Sequence, residues 1–117
     1  MSETRAISKV IACTTAGTYN LYTCPSNCRA KVVVVFITNA NGNNTIALKW
    51  YRKQVNTSFF IIGGRNMTQG EFIQFDGNAY IILEPGDRLD ITTDNNGVID
   101  AICTAEESFT ANITRAT

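Results

Sequence analysis

Turn chemistry interrupts this chain at intervals of about ten residues, the spacing of a β-sandwich or small barrel. The punctuating stretches are "TTAG", "CPSN", "NANGNN", "GGRN", "DGN", "EPGD" and "DNNG". Glycine, proline and asparagine supply the backbone angles that tight turns need. The segments between them are rich in β-branched and aromatic residues: "RAISKVIACT", "GTYNLYTC", "RAKVVVVFITN", "TIALKWYRKQ", "TSFFIIGG", "GEFIQF", "AYIIL", "DRLDITTD" and "GVIDAICTAEES". Such residues fit a pleated surface. No stretch keeps a 3.6-residue apolar period over three turns, so no long helix is predicted. The expected fold is all-β: a single antiparallel β-sandwich domain over residues 1–117, jelly-roll-like, with about eight strands. Asn96-Gly97, between "LDITTD" and "VIDAICT", predicts a hairpin joining the last two strands.

The strands differ in pattern. "TIALKWYRKQ" alternates, with Ile46, Leu48 and Trp50 on one face and Thr45, Lys49 and Lys53 on the other, so one face is buried and one is wet. "VVVVFI", "FFII" and "YIIL" (Tyr80 to Leu83) are apolar on both faces. One set of alternate positions fills the core, for which the candidates are Val32, Val34, Phe36, Leu48, Trp50, Ile82, Leu89, Ile91 and Ile102. The other set, Val33, Val35, Ile37, Phe59, Ile61, Ile81 and Leu83, is left over. Monomers rarely expose so large an apolar patch, so these residues are assigned to a contact with another subunit, with cover by long loops or the chain ends as the alternative.

Composition closes several function classes. The 117 residues are 44% hydrophobic, enough for one core. Ten basic and ten acidic residues cancel, and no basic stripe invites nucleic acid. The longest apolar run, "VVVVFI", is too short to span a membrane. The opening "MSETRAISKVIACTT" lacks the apolar core of a secretion signal. There is no histidine. A Ser-His or Cys-His nucleophile pair is therefore excluded, and the commonest zinc ligand is missing. The expectation is a chain that is not an enzyme, with no catalytic residue, no metal site and no cofactor.

"CPSNC" (Cys24 to Cys28) tests that expectation. A zinc knuckle would need a second pair, and Cys13 and Cys103 stand alone. A reactive thiol needs a base or a cation; Arg29 is adjacent, but no histidine is present. The simplest reading is a three-residue turn, Pro25-Ser26-Asn27, between neighbouring strands. Cys24 and Cys28 would then face each other as candidates for a local disulfide, with free thiols expected at synthesis in a reducing cytosol. Cys13 and Cys103 sit in strand patterns as small buried hydrophobes. "DNNGVID" resembles part of a calcium loop but lacks the distal glutamate. In "LEPGDRLDI", Asp87 is placed to accept backbone N–H bonds at a turn. Glu106 and Glu107, adjacent in a strand, point to opposite faces and do not share a proton. Tyr19, Tyr22, Trp50 and Tyr51 could stack on a sugar, although Trp50 shares a face with Ile46 and Leu48.

"YNLYTCPSNCRAKVVVVFITNANGNNTIALKWYRK", "FIQFDGNAYIILEPGDRLDITTD" and "AICTAEES" together resemble small virion proteins of tailed bacteriophages. Tyr22, Thr23, Pro25, Gly86 and Asp87 are the anchoring matches; Cys24, Cys28 and Ser26-Asn27 depart from the pattern. The resemblance spans roughly residues 7 to 108. It implies a structural protein of the virion, assembled in the host cytoplasm. The role it implies is a capsid decoration or cement subunit, with the tail, neck or baseplate as the alternative. Its partners would be the major capsid or tail proteins and further copies of itself; by analogy with small decoration proteins, the homo-oligomer would be a trimer. A carbohydrate-binding module is the remaining alternative.

Overall fold

The segments between turns become eight strands in the computed structural model, which describes residues 4–94 and 97–109 and only the backbone of 76–80. They are β1 (Thr4–Cys13), β2 (Gly17–Thr23), β3 (Cys28–Asn41), β4 (Asn44–Arg52), β5 (Thr57–Met67), β6 (Phe72–Leu83), β7 (Arg88–Thr93) and β8 (Val98–Phe109). A single 3-10 turn, Lys53–Val55, links β4 to β5. No α-helix occurs among the described residues. "GEFIQF" and "AYIIL", expected as two strands, run together as β6. The Tyr80 side chain lies outside the described residues.

Two four-stranded antiparallel sheets pack face to face, in the orders β1-β8-β3-β6 and β2-β7-β4-β5. Only β4 and β5 are both consecutive and paired, so six of the seven connections change sheet. This interleaving is the winding of a jelly roll. It corrects two expectations. β7 and β8 lie in different sheets, so the segment containing Asn96-Gly97 crosses the sandwich instead of closing a hairpin; Asn95 and Asn96 themselves lie outside the described residues. β2 and β3 also lie in different sheets, so "CPSNC" is a crossover turn, closed by Cys28 N–H donating to the Pro25 carbonyl at 3.1 Å.

The core lies between the sheets and includes Leu21, Tyr22, Ile37, Ile46, Leu48, Leu89, Ile91 and Ile99, each essentially inaccessible to water. One extra residue decides which half of "VVVVFI" joins it. The ladders of β3 with both neighbours skip Val33, passing from Val32 directly to Val34. Side chains alternate with period two, so a single bulged residue flips every later side chain to the opposite face. Val32 points inward, and beyond the bulge Val35 and Ile37 do so too. The expected core positions Val34 and Phe36 are thereby turned outward to half-buried sites. Losing a ladder hydrogen bond at the bulge costs about 1 kcal/mol. Burying Val35 and Ile37 contributes several times that, at about 1.5–3 kcal/mol per fully buried aliphatic side chain.

Ile82 and Ile102 are also outside the core, at 40% and 39% exposure. Strand β8 turns its small residues inward instead: Ala101, Cys103 and Ala105 share the buried face with Ile99 and Glu107. The remaining core candidates, Val32, Leu48, Leu89 and Ile91, are buried, and Trp50 packs against the core.

An amide cluster closes the crossover at the end of β3. Asn39 Nδ2 donates to the carbonyls of Gly42 at 2.7 Å and Met67 at 2.8 Å, and Asn39 Oδ1 accepts from Asn44 Nδ2 at 2.9 Å. Gly97 lies flat against this cluster. A Cβ there would sit 2.5 Å from both the Asn41 carbonyl oxygen and Asn44 Nδ2. Gly97→Ala is therefore expected to lower stability by about 1–3 kcal/mol, the usual cost of overpacking. A denaturant midpoint unchanged from wild type would show that the cluster yields without cost.

Candidate interaction surfaces

The protein has four cysteines. All four are buried, unbonded thiols. The Cys24 thiol donates to the Cys28 carbonyl oxygen at 3.2 Å, which holds it against the crossover turn. Burial, reinforced by the nearby Cys28 and Glu107, pushes the Cys24 thiol from its ordinary value near 9 up to about 12. Burial alone takes Cys103 to about 12, and burial with Asp100 takes Cys13 to about 11. Cys28 is also raised, chiefly by burial. A nucleophilic thiol needs the opposite shift.

Two outcomes are expected. At pH 8 a thiol-specific aromatic disulfide should react with the folded chain far more slowly than with the chain in guanidinium, where all four thiols become available. Stability should also fall with alkali. The folded state holds these protons more tightly than the unfolded one. The stabilisation is complete below the unfolded value near 9 and is lost as pH climbs through 11 to 12. Rapid labelling of the native protein at pH 8 would contradict the first outcome, and a flat melting temperature between pH 9 and 11 the second.

Other expected sites are structural. Asp94 Oδ1 accepts the Thr45 N–H at 2.8 Å. Among the described residues, no three Cys, Asp or Glu side chains converge as a metal site would require. Asp87 accepts backbone N–H bonds from Lys53 and Glu84, as its place in the turn implied. Glu106 is exposed and Glu107 buried, on opposite faces of β8. The aromatic residues do not form a sugar platform. Tyr22 is fully buried, the Tyr19 hydroxyl bonds to the Thr15 carbonyl, and the Arg88 guanidinium sits 4.1 Å from the centre of the Tyr51 ring.

The apolar surface is more informative. Four of the residues assigned to a subunit contact, Val33, Val35, Ile61 and Ile81, come together in a cleft of about 230 Å³, walled also by Val34, Leu48 and Phe75. Backbone irregularity opens it. β3 bulges at Val33, β6 advances from Ile81 to Asp76 over the same step, and β5 slips twice against β4 on either side of Leu48. The cleft lies between the sheets, toward the edge formed by β5 and β6. Phe59, a fifth assigned residue, lies on that edge at 51% exposure, beside Phe60 at 64%. Val35, which walls the cleft from the core side, and the other two, Ile37 and Leu83, are corrected to core residues: the Val33 bulge turns Val35 and Ile37 inward, and Leu83 pairs with the buried Ala30.

A second surface was missed by the sequence reading. On the outer face of the β1-β8-β3-β6 sheet, Val10, Ile102 and Phe36 stand in one cross-strand row, and Phe72 stacks on Phe36 with ring centres 5.2 Å apart. Val10 is 68% exposed and Phe72 57%. Two rows along the same face, beyond the row of Ser8, Thr104 and Val34, the residues are Ala6, Glu106, Lys31 and Ile82. The signal was present: Ile102 has the opposite parity to Ala101, Cys103 and Ala105.

No family model and no curated protein matches this chain. Solved structures share the fold. A subunit of infectious bursal disease virus aligns at 11% identity and a TM-score of 0.58 over 94% of this chain and 33% of that one. The chain thus spans about a third of that subunit's length. A protein of Bacillus endospore appendages, which form disulfide-linked pili, aligns at 13% identity and a TM-score of 0.59, covering 93% of this chain and 90% of that one. A chain from the capsid of Helicobacter pylori bacteriophage KHP30 aligns at 11% identity and a TM-score of 0.53, covering 94% of each. At such identities the likeness is one of fold: this chain has a sandwich of a kind also found in viral capsids and in bacterial surface fibres.

Proposed function

We propose that this protein is a structural subunit of a bacteriophage particle, a capsid decoration protein that stabilises the head by protein–protein contact and carries out no catalytic step. The observation that carries the reading is the β5–β6 edge, where Val33, Ile61 and Ile81 line an apolar cleft beside the exposed Phe59 and Phe60. That surface suits an apolar anchor from a neighbouring subunit, seated as interface anchors are. The occurrence of the same fold in viral capsid chains supports the reading. On the particle the subunit would dock as a trimer against the major capsid protein, with contacts multiplied over the lattice.

The fold is equally that of a pilus subunit, but a disulfide-linked fibre requires accessible thiols, and all four here are buried. The test is imaging of particles from cells that express the gene. Density repeated over the head lattice is expected. Density confined to the tail would replace decoration with a tail or baseplate role, and particles lacking the chain would overturn the proposal. The variant Phe60→Lys should lower occupancy on the head while leaving the fold intact.

A further inference from the structure

The outer face of the β1-β8-β3-β6 sheet presents two rows whose chemistry is self-complementary. Consider a two-fold axis parallel to the strands, lying in the plane of the face and passing between β8 and β3. It lays β8 of one copy over β3 of the other and β1 over β6, given the strand order. In the first row Ile102 then meets Phe36 of the second copy and Val10 meets Gln74; in the row beside it, that of Asp100 and Thr38, Ala12 meets Phe72. Two rows from Ile102, beyond the row of Ser8, Thr104 and Val34, Glu106 meets Lys31 of the second copy, Lys31 meets Glu106, and Ala6 and Ile82 meet each other. Each opposed charge meets its opposite in this row, twice over because the contact is isologous.

The geometry points to a face-to-face homodimer through this sheet, with a second copy of this chain as the occupant. Area supports it. Val10, Phe72, Ile82 and Ile102 are 68%, 57%, 40% and 39% exposed. Together they offer roughly 400 Å² of apolar surface, close to the apolar share of an ~800 Å² interface side. Stacked sheets settle about 10 Å apart and within about 30° of alignment, so the row pairing is kept near the axis. The contact deepens the reading of this protein as one that works through protein contact, and it rests on that reading without needing the virion. It leaves the β5–β6 edge free for docking elsewhere.

Two charge-reversal variants separate this contact from pairing within one chain. Glu106→Lys and Lys31→Glu each place like charges opposite one another across the axis. Each should weaken self-association at least tenfold in sedimentation equilibrium. Mixed in equal amounts, the two variants should associate with each other, because each then meets a complementary face, whereas the strain within each chain is unrelieved by mixing. Ile102→Lys, at an exposed position, should give a folded monomer by circular dichroism and sedimentation. A wild-type chain that is monomeric at several hundred micromolar overturns the inference, as does a mixture that stays apart or an Ile102→Lys chain that still pairs. A dimer whose chain is absent from particles sinks the virion proposal alone; a monomer that decorates heads sinks only the dimer.

Discussion

Asp87→Ala is expected to lower the unfolding free energy by about 3–5 kcal/mol, the loss typical when a buried charge is removed from its partners. Asp87 lies in the turn between β6 and β7 and is 1% exposed. Its Oδ1 accepts the Lys53 backbone N–H at 3.0 Å; its Oδ2 accepts the Trp50 indole N–H at 3.2 Å and the Glu84 N–H at 3.1 Å. Arg52 Nε lies 3.8 Å from the same Oδ2. One carboxylate thus ties the end of β4, the start of the 3-10 turn and the β6–β7 turn into one corner. The backbone adds to it: Cys24 N–H donates to the Asp87 carbonyl at 2.8 Å, and Gly86 N–H donates to the Cys24 carbonyl at 3.0 Å.

Alanine leaves three donors facing a void, and each unsatisfied buried donor costs about 1–3 kcal/mol. Folded domains hold only about 5–15 kcal/mol in reserve, so the variant should approach the threshold of folding. Asp87→Asn separates shape from chemistry. An amide offers one accepting oxygen and one donating nitrogen, so it cannot satisfy donors on both sides, and its loss should fall between those of Asp87→Ala and Trp50→Phe. Trp50→Phe removes a single donor and should cost about 1 kcal/mol. Urea unfolding followed by circular dichroism checks the order. If Asp87→Asn is as stable as wild type, the carboxylate is not what holds the corner.

Asp87 was legible in the sequence because a Pro-Gly-Asp turn states its own hydrogen bonding. So was the β-sandwich, whose turn residues and β-branched segments agree along the whole chain. What escaped was parity. Val34 and Phe36 alternate correctly with Val32 in the sequence, and nothing in four consecutive valines says that Val33 is skipped by both neighbouring strands. A homopolymeric run has no internal contrast from which to read a bulge. The cleft escaped for the same reason, since it exists only where the bulges in β3 and β5 and the slip in β6 coincide. The crossovers were hidden differently. A glycine-rich turn fixes a reversal of the chain but not which sheet the next strand joins, so Asn96-Gly97 reads the same in a hairpin and in a sheet-changing turn. Glu107 was legible only in part: its parity with Ile99, Ala101, Cys103 and Ala105 marks it as inward, yet a carboxylate at that position needs partners that lie about a hundred residues away in the chain.

Those partners make Glu107→Ala the second large expected effect, again about 3–5 kcal/mol. The carboxylate is 1% exposed. Its Oε1 accepts from Arg5 Nε at 2.8 Å, and its Oε2 accepts from the Tyr22 hydroxyl. Arg5 is on β1, beside β8 in one sheet, while Tyr22 is on β2 in the other. The Glu107–Tyr22 bond therefore joins the sheets through the core, and Arg5 supplies the countercharge from the edge, its guanidinium 4.9 Å from the Phe109 ring centre. Tyr22→Phe keeps the packing and the Arg5 pair and should cost only about 1–2 kcal/mol. The double variant should cost less than the sum of the two, because once Glu107 is gone the Tyr22 hydroxyl is an unsatisfied donor whose removal brings relief. Strict additivity in denaturant unfolding would mean that the two groups do not interact. The phenol supplies an independent check by pH. Burial first, and then the bond to Glu107, push its ionisation well above the ordinary value of 10. The folded state holds that proton where the unfolded state has begun to lose it. The stabilisation is complete below pH 10 and declines above it. Tyr22→Phe abolishes this contribution, so the stability gap between wild type and variant should narrow as pH rises past 10. A gap that stays constant to pH 11 would show that Tyr22 titrates as an ordinary exposed tyrosine and that the sheets are not joined through it.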